Sequence, residues 1–315
     1  MSLPVVSVIT ETITARSGGR TNSLANELAP NIKALEQQTY PRQLIEHIIV
    51  LDKEIDTRAA DELCRRYPSV KFLSTLRSHY LVAKNAGAAA ASGDIIALVD
   101  GDCEPEPDWI EMLVRTFNGN NVAAVAGRTY YTGGSGLLRT FSVPDFNYIL
   151  TEDNNESSGF NISNVAFRRQ VILEHPFDTR LPRNGGCYFL YHQLRAQGAH
   201  ILHQPRARVG HALDFEGLGF FRKHFERGYD GVRVYYLDND SVLRGTRVLR
   251  RFGFIGLAGI TLRRILIDWQ RLIHHRRQIG VSIIALPYFA FLGLITRLIE
   301  LTGGLSAIIS RRSYS

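Results

Sequence analysis

The apolar residues of this chain fall in short unbroken runs rather than in alternation. Val5-Val6-Ser7-Val8-Ile9-Thr10, His47-Ile48-Ile49-Val50-Leu51 and Ile95-Ile96-Ala97-Leu98-Val99 are three such runs, rich in branched side chains. A strand covered on one face alternates; one covered on both does not, so these runs predict strands of a parallel sheet packed between helices. Between them Leu24, Leu28, Ile32 and Leu35 recur at helical spacing, and a second helix is predicted over 59–67. The order β, α, β, α, β with right-handed crossovers predicts an α/β fold with a Rossmann-like, mostly parallel central sheet flanked by helices. Another apolar run, Val122 to Gly127, extends the sheet, whereas 129–158 has no clear period and reads as a loop region.

The third strand ends in Asp100-Gly101-Asp102. Ligands of open α/β sheets bind at the C-terminal ends of the strands. Two hard oxygen donors one residue apart suit Mg²⁺ or Mn²⁺, and Gly101 leaves room for a close backbone or phosphate approach. Taken alone, Asp-Gly-Asp is more often an ordinary solvated turn. Its neighbours change that weighting. Before it stands the small-residue helix Leu81-Val82-Ala83-Lys84-Asn85-Ala86-Gly87-Ala88-Ala89-Ala90-Ala91-Ser92-Gly93, and after it Glu104-Pro105-Glu106-Pro107-Asp108-Trp109 leads into another helix.

This combination resembles the nucleotide-binding half of family-2 glycosyltransferases, which have the GT-A fold: there a Lys/Arg-Asn-x-Gly helix precedes a strand ending in Asp-x-Asp. The resemblance implies that Asp100 and Asp102 carry a divalent metal and the diphosphate of a nucleotide sugar. It places Glu11 near the nucleoside, Asp52 against the base, and Lys84 and Asn85 facing the nucleotide. Gly159 to Arg169 resembles the family's segment beside the sugar. Pro205-Arg206-Ala207-Arg208-Val209-Gly210-His211 resembles its closing strand, with His211 as a third metal ligand, and Arg227 lies in an Arg-Gly element able to reach a phosphate. The acidic pair that begins the family's next helix is absent; Gly186 and Cys187 stand where Glu and the catalytic Asp would be. Inverting transfer needs a base for the acceptor proton. Besides Asp102 at the metal, the catalytic candidates are therefore Cys187 and His192, with Asp178, Glu152 and Asp153 behind them.

Composition adds the compartment and the surface. The 315 residues are 45% hydrophobic with three widely spaced cysteines, Cys64, Cys103 and Cys187, which fits a reducing compartment. No basic, then long apolar, leader opens the chain, so a cytoplasmic globular part is expected. The net charge is +7, and residues 222–277 hold 13 Lys/Arg against 5 Asp/Glu, so the basic character sits in one segment. That segment shows no zinc-finger or RNA-binding signature; its apolar stretches favour anionic lipid over nucleic acid. Arg263, Arg264 and Arg271 interleave with Leu266, Ile267, Trp269 and Leu272. The 18 uncharged residues Ile279 to Thr296, interrupted by Pro287, reach ~27 Å as a helix, just short of a ~30 Å hydrocarbon core. They read as a span, an in-plane or re-entrant membrane helix, or a buried core helix.

The expected organisation is a nucleotide-sugar-binding half over 1–128, an acceptor and catalytic half over 129–230, and a basic, apolar, membrane-associating helical extension over 231–315. The expected function is divalent-metal-dependent sugar transfer from a nucleoside-diphosphate sugar to a polysaccharide or lipid-linked glycan at the inner membrane face. A nucleotide-sugar-binding scaffold without transfer activity is the second reading, and a nucleotidyltransferase, which usually begins with a Gly-rich phosphate loop, is the third.

Overall fold

The computed structural model describes residues 3–16, 23–77, 79–117, 121–133, 136–146, 149, 156–212, 219–240 and 242–312. In chain order the elements are β1 (Val6–Glu11), α1 (Thr12–Arg16), α2 (Leu24–Glu36), β2 (Ile45–Leu51), α3 (Thr57–Arg66), β3 (Lys71–Ser74), α4 (Tyr80–Ala90), β4 (Ile95–Val99), β5 (Cys103–Pro105) and α5 (Trp109–Thr116). There follow β6 (Val122–Thr132), α6 (Gly136–Thr140), α7 (Ser142–Phe146), β7 (Asn164–Arg168), α8 (Arg169–Glu174), α9 (Gly186–Ala196), β8 (His200–Ala212), α10 (Gly219–Leu237), α11 (Arg244–His275) and α12 (Leu286–Arg312).

The eight strands form one sheet in the order β3-β2-β1-β4-β7-β6-β8-β5. β1, β2 and β4 pair in parallel, as their unbroken apolar runs predict, and the short, partly exposed β3, which the apolar pattern did not predict, joins β2 in parallel. Successive residues of one strand enter different cores: Ile96 and Leu98 pack with α4 and α9, whereas Ile95, Ala97 and Val99 pack with α5. Beyond β4 the sheet turns mixed, because β7 enters antiparallel between β4 and β6. The antiparallel strands and the length of β6 were not legible as such: β6 runs on to Thr132 through residues that looked like loop, and two short helices follow it.

The C-terminal third is helical, and α10 runs continuously through the boundary expected at residue 230. The apolar stretch of the sequence is divided differently from expectation. α11 ends at His275, and Pro287 stands in the first turn of α12, where a helix tolerates proline, rather than interrupting a span. One segment, Ile283–Ser310, is long and apolar enough to cross a membrane, and 17% of its most apolar window is buried within the protein.

α10 and α12 meet at their glycines. A Cβ on Gly228 would lie 1.8 Å from the Glu300 carbonyl oxygen, and one on Gly303 would lie 1.9 Å from that of Phe225. Backbone stands on both sides of this contact, so no side chain can swing away to make room. Gly303→Ala should therefore force the helices apart at a cost of about 1–3 kcal/mol, the range for overpacking. Urea unfolding that matches wild type would show that the crossing is looser than this.

Candidate active site

The strand order brings three acidic positions to one edge. β2, β1 and β4 are neighbours, so Asp52, Glu11 and Asp100, at or just past their C-terminal ends, stand side by side. Glu11 accepts hydrogen bonds from the Thr14 amide (3.1 Å) and hydroxyl (2.7 Å), and the same hydroxyl accepts from the Gly101 amide at 3.0 Å. Burial pushes the Glu11 carboxyl up, with Lys84 opposing. Asp52 accepts from the Glu54 amide at 2.8 Å and from the Thr12 hydroxyl at 3.4 Å, so it also shapes the turn that carries it.

Lys84 is fully buried, an arrangement a lysine adopts only with partners in place. Its ammonium lies 2.8 Å from Asp100 Oδ1 and donates to the Val99 carbonyl at 2.7 Å. The Tyr80 hydroxyl donates to the same Asp100 oxygen at 2.6 Å. Burial works against ionisation of Asp100, but Lys84 and then Arg183 outweigh it, and the carboxyl is held below its ordinary range. Arg183 lies over the Tyr80 ring at 4.7 Å, and Asn31 ties down the loop by donating to the Asp100 (3.2 Å) and Cys103 (2.7 Å) carbonyls. Two of the expected site residues are engaged by the protein itself. Asp100 Oδ1 is taken up by Lys84 and Tyr80. Asn85 is tied to Phe177: its amide donates to the Phe177 carbonyl at 2.8 Å and its oxygen accepts from the Phe177 amide at 3.0 Å.

Asp102 points the other way, with 13% of its side chain exposed. β5 follows directly and pairs antiparallel with β8 so that His211 stands opposite Cys103. The Ala212 amide donates to the Asp102 carbonyl at 3.0 Å, and His211 Nε2 comes within 3.9 Å of Asp102 Oδ2. Ligand atoms of Asp102, Cys103 and His211 lie within 4.8 Å of one another. Cys103 is fully buried and a softer donor than the other two, and, without a cation, burial and then Asp102 push its thiol well above the ordinary value. One carboxylate and one imidazole at an accessible edge fit Mn²⁺, and Mg²⁺ less well; substrate oxygens and water would complete the shell.

Around this pole stands a cluster that sequence reasoning missed, apart from Arg227. The His211 ring meets the Tyr131 ring edge-on at 5.8 Å. The Tyr131 hydroxyl donates a short hydrogen bond to buried Asp145 and accepts one from Lys223 at 2.7 Å. Arg227 donates to Asp145 at 2.9 Å and His224 approaches it at 3.2 Å. Burial, Arg227 and His224 act on Asp145 in that order, and the cations prevail, holding its carboxyl well below the ordinary range. Burial and then Arg227 bring the Lys223 ammonium down to about 7, against the pull of Asp145. Lys223 and Arg227 lie one turn apart on α10; the signal available in sequence was this spacing, but their anionic partner is 82 residues away from Arg227.

The expected bases fare poorly. Burial pushes the Cys187 thiol up, so near neutrality it is not a thiolate. His192 packs against the rings of Tyr188 (4.7 Å) and Tyr191 (5.2 Å), and its pKa is lowered by burial and then by Arg244, beyond the far end of α10. Lys223, beside the Asp102 pole, and Leu237, the last residue of that helix and the neighbour of Asp238, which also acts on His192, are 14 residues apart, about 21 Å at 1.5 Å per residue. His192 thus belongs to the opposite end of α10 from the metal pole. Asp178 is clamped by Arg180 at 2.6 Å, and Glu152 and Asp153 lie outside the described residues.

The Lys84–Asp100 pair yields a direct prediction. Lys84→Met should leave a buried, unpaired carboxylate and destabilise the protein by about 3–5 kcal/mol, and adding Asp100→Asn should restore part of that loss. Urea unfolding of the two single variants and the double variant measures both effects. Unchanged stability in Lys84→Met would remove the pair from its structural role.

Residues 21–177 match the family model described as Glycosyl transferase family 2. Glucosyl-dolichyl phosphate glucuronosyltransferase of Haloferax volcanii is 29% identical over 170 residues, covering 47% of this chain and 53% of that protein. Glycosyltransferase AglE of the same organism is 26% identical over 227 residues, 70% of this chain and 73% of that protein. The chain thus spans about half the length of the first of these relatives. Among solved structures, mannosyltransferase PcManGT from Pyrobaculum calidifontis, in complex with GDP-Man and Mn²⁺, superposes with a TM-score of 0.59 at 14% identity, covering 100% of this chain and 88% of that one. GalNAc-T7 with UDP, GalNAc and Mn²⁺ gives a TM-score of 0.58 at 16% identity, covering 79% and 51%. At these identities the superpositions establish the shared GT-A architecture, and with the family match they lead to one conclusion: the chain belongs to glycosyl transferase family 2.

Proposed function

We propose that the protein is an inverting glycosyltransferase that moves a sugar from a nucleoside-diphosphate sugar to a glycan or lipid-linked acceptor at the cytoplasmic face of a membrane. The observation that carries this reading is the Asp102–His211 pair at the C-terminal edge of the sheet, beside the cations Lys223 and Arg183. The solved relatives hold nucleotide sugar or nucleotide with Mn²⁺ on the same fold, which supports donor and metal alike. Bound there, Mn²⁺ or Mg²⁺ would neutralise the departing diphosphate. Glu11 and Asp52 border the nucleoside end, while Lys84 holds Asp100 and its loop so that Asp102 stays aimed outward. Lys223 and Arg183 add positive charge where the diphosphate leaves.

The membrane part rests on α11 and α12. Phe291, Leu298 and Ile309 are exposed and fall on one stripe of α12, while Ile255, Leu262 and Leu266 are exposed on α11. The opposite side of α12 is polar and internal: Arg297 donates to Asp268 at 2.7 Å and to Glu300 at 2.5 Å. A membrane-crossing α12 would strip these charges of their partners and break the crossing with α10. This supports a helix lying in the interface, apolar stripe toward lipid, with Arg263, Arg276 and Arg277 near anionic headgroups.

Two experiments test the reading. A thermal-shift screen of UDP-, GDP- and dTDP-sugars should show stabilisation that needs Mn²⁺, since ligand binding raises the melting temperature by mass action. Asp102→Asn should lose that shift and lower turnover at least about 100-fold, with the melting temperature of the free protein little changed, as expected for loss of a transition-state charge contact. Wild-type turnover in that variant would overturn the metal assignment, and donor binding by a wild-type chain that never turns over would favour the scaffold. In flotation assays the full chain should bind vesicles containing anionic lipid, and Phe291→Asp with Leu298→Asp should weaken that binding. Equal recovery of both proteins in the unbound fraction would refute the membrane surface.

A further inference from the structure

The family position for the catalytic base holds Cys187 rather than an acid, and the glycine before it, at the family's Glu position, is packed against α4. A Cβ on Gly186 would lie 2.7 Å from Leu81 Cδ2 and 2.9 Å from Cδ1, so α4 closes on this turn. Cys187 follows as a thiol that burial keeps protonated. The 3₁₀ turn Arg183–Gly185 that leads into α9 nevertheless touches two things at once. Arg183 stacks over Tyr80, whose hydroxyl is on Asp100, and the next residue, Asn184, donates from its side-chain amide to Asp230 Oδ2 at 2.8 Å.

Asp230 comes from α10. Lys223, Arg227 and Asp230 are spaced by four and three residues, which puts them on one face of that helix. Val234 continues the face and is seated on Gly185, where an added Cβ would meet its Cγ2 at 2.1 Å. This face of α10 therefore lies along the turn before α9, from the metal pole at Lys223 to Asn184 at Asp230. Lys223 and Asp230 are seven positions apart, about 10 Å along the axis, the length scale of a diphosphate and a sugar.

We propose that Asp230 is the general base of the transfer, supplying from α10 the carboxylate that the start of α9 lacks. The proposal rests on the glycosyltransferase reading. In the step it performs, the acceptor hydroxyl oxygen forms a bond to the anomeric carbon and the bond from that carbon to the diphosphate oxygen breaks, its electron pair leaving with the nucleoside diphosphate. The hydroxyl proton passes to an Asp230 carboxylate oxygen.

The surroundings suit the role. The side chain of Asp230 is 15% exposed, open to an acceptor yet shielded. Burial raises its pKa, while the Asn184 hydrogen bond and then Arg233, 3.7 Å away on α10, pull the other way and Glu226 adds to the rise. A carboxylate moved toward neutrality is a better proton acceptor at working pH than one held down, as Asp145, Asp178 and Glu156 are.

The test uses the full chain with Mn²⁺, the nucleotide sugar giving the largest shift in the screen above, and octyl glucoside as a hydroxyl acceptor. Release of nucleoside diphosphate is followed, against release to water alone. Asp230→Asn should lower kcat by about 100- to 10,000-fold, the usual range for a general base, while the Mn²⁺-dependent donor shift is kept. Asp230→Glu should recover part of the rate. Asn184→Ala provides a measurement independent of any folding defect in those variants: losing a hydrogen bond that stabilises the ionised form, Asp230 should titrate higher, and the acid limb of the pH–rate profile should move up. Wild-type kcat in Asp230→Asn, or an acid limb that Asn184→Ala leaves in place, would overturn the assignment while the donor shift continues to support the glycosyltransferase. Donor binding without nucleoside diphosphate release by the wild-type chain would overturn both.

Discussion

The site depends on one buried ion pair. Lys84 and Asp100 meet at 2.8 Å where water is excluded, and neither charge would be tolerated there alone. The pair joins the helix before β4 to the loop after it, while Tyr80 and Val99 occupy the remaining positions around the ammonium and the carboxylate. With Asp100 drawn inward, the next acidic residue, Asp102, faces outward. Two aspartates two positions apart thus stand differently, one enclosed with Lys84 and one partly exposed beside His211. Glu11 shares the same enclosure, where burial raises its pKa against the pull of Lys84.

His211 reaches Asp102 through strand pairing over a long sequence separation. β5 is three residues long, yet its antiparallel register with β8 sets His211 opposite Cys103, and the pairing of β8 with β6 sets Tyr131 beside His211. Asp145 then gathers Tyr131, Arg227 and His224, and its hydrogen bonds bring the start of α10 to the metal pole. Arg227, His224 and Lys223 thus surround one buried carboxylate at that edge of the site.

Much of this was legible in sequence, and the divisions have physical reasons. The parallel half could be read because a strand buried on both faces leaves an unbroken apolar run, and Asp100, Asp102 and His211 because short motifs keep their order. Which aspartate faces inward could not be read, since that depends on Lys84 arriving from a helix on the other side of the sheet. Asn85 sits next to Lys84 in the chain, but a step of about 100° around the helix turns it toward Phe177 instead. β6 was cut short because Arg128, Thr129 and Tyr130 alternate in burial along the strand, a half-covered pattern unlike that of the runs before it. His192 was a candidate because it follows the position of the missing acid by about one helical turn, and its location at the far end of α10 is a matter of helix packing that no spacing rule contains.

α10 is the element on which the two halves of the proposed function meet. At 100° per residue, Lys223, Arg227, Asp230 and Val234 cluster within about 60° on one side of the helix. Phe225, Gly228, Tyr229 and Val232, which form the crossing with α12, cluster on the opposite side. His224 falls between the two stripes and touches both neighbourhoods, 3.2 Å from Asp145 toward the metal pole and 3.4 Å from Glu300 on α12. Burial alone would lower the His224 pKa, but Asp145 and then Glu300 raise it, so the imidazolium is favoured where it can join the two carboxylates. The backbone contact at Gly228 and Gly303 leaves little freedom for α12 to shift without moving α10. α12, with its exposed apolar stripe, is therefore mechanically continuous with the helix that carries Lys223 and Asp230, because the same glycines hold the two helices together.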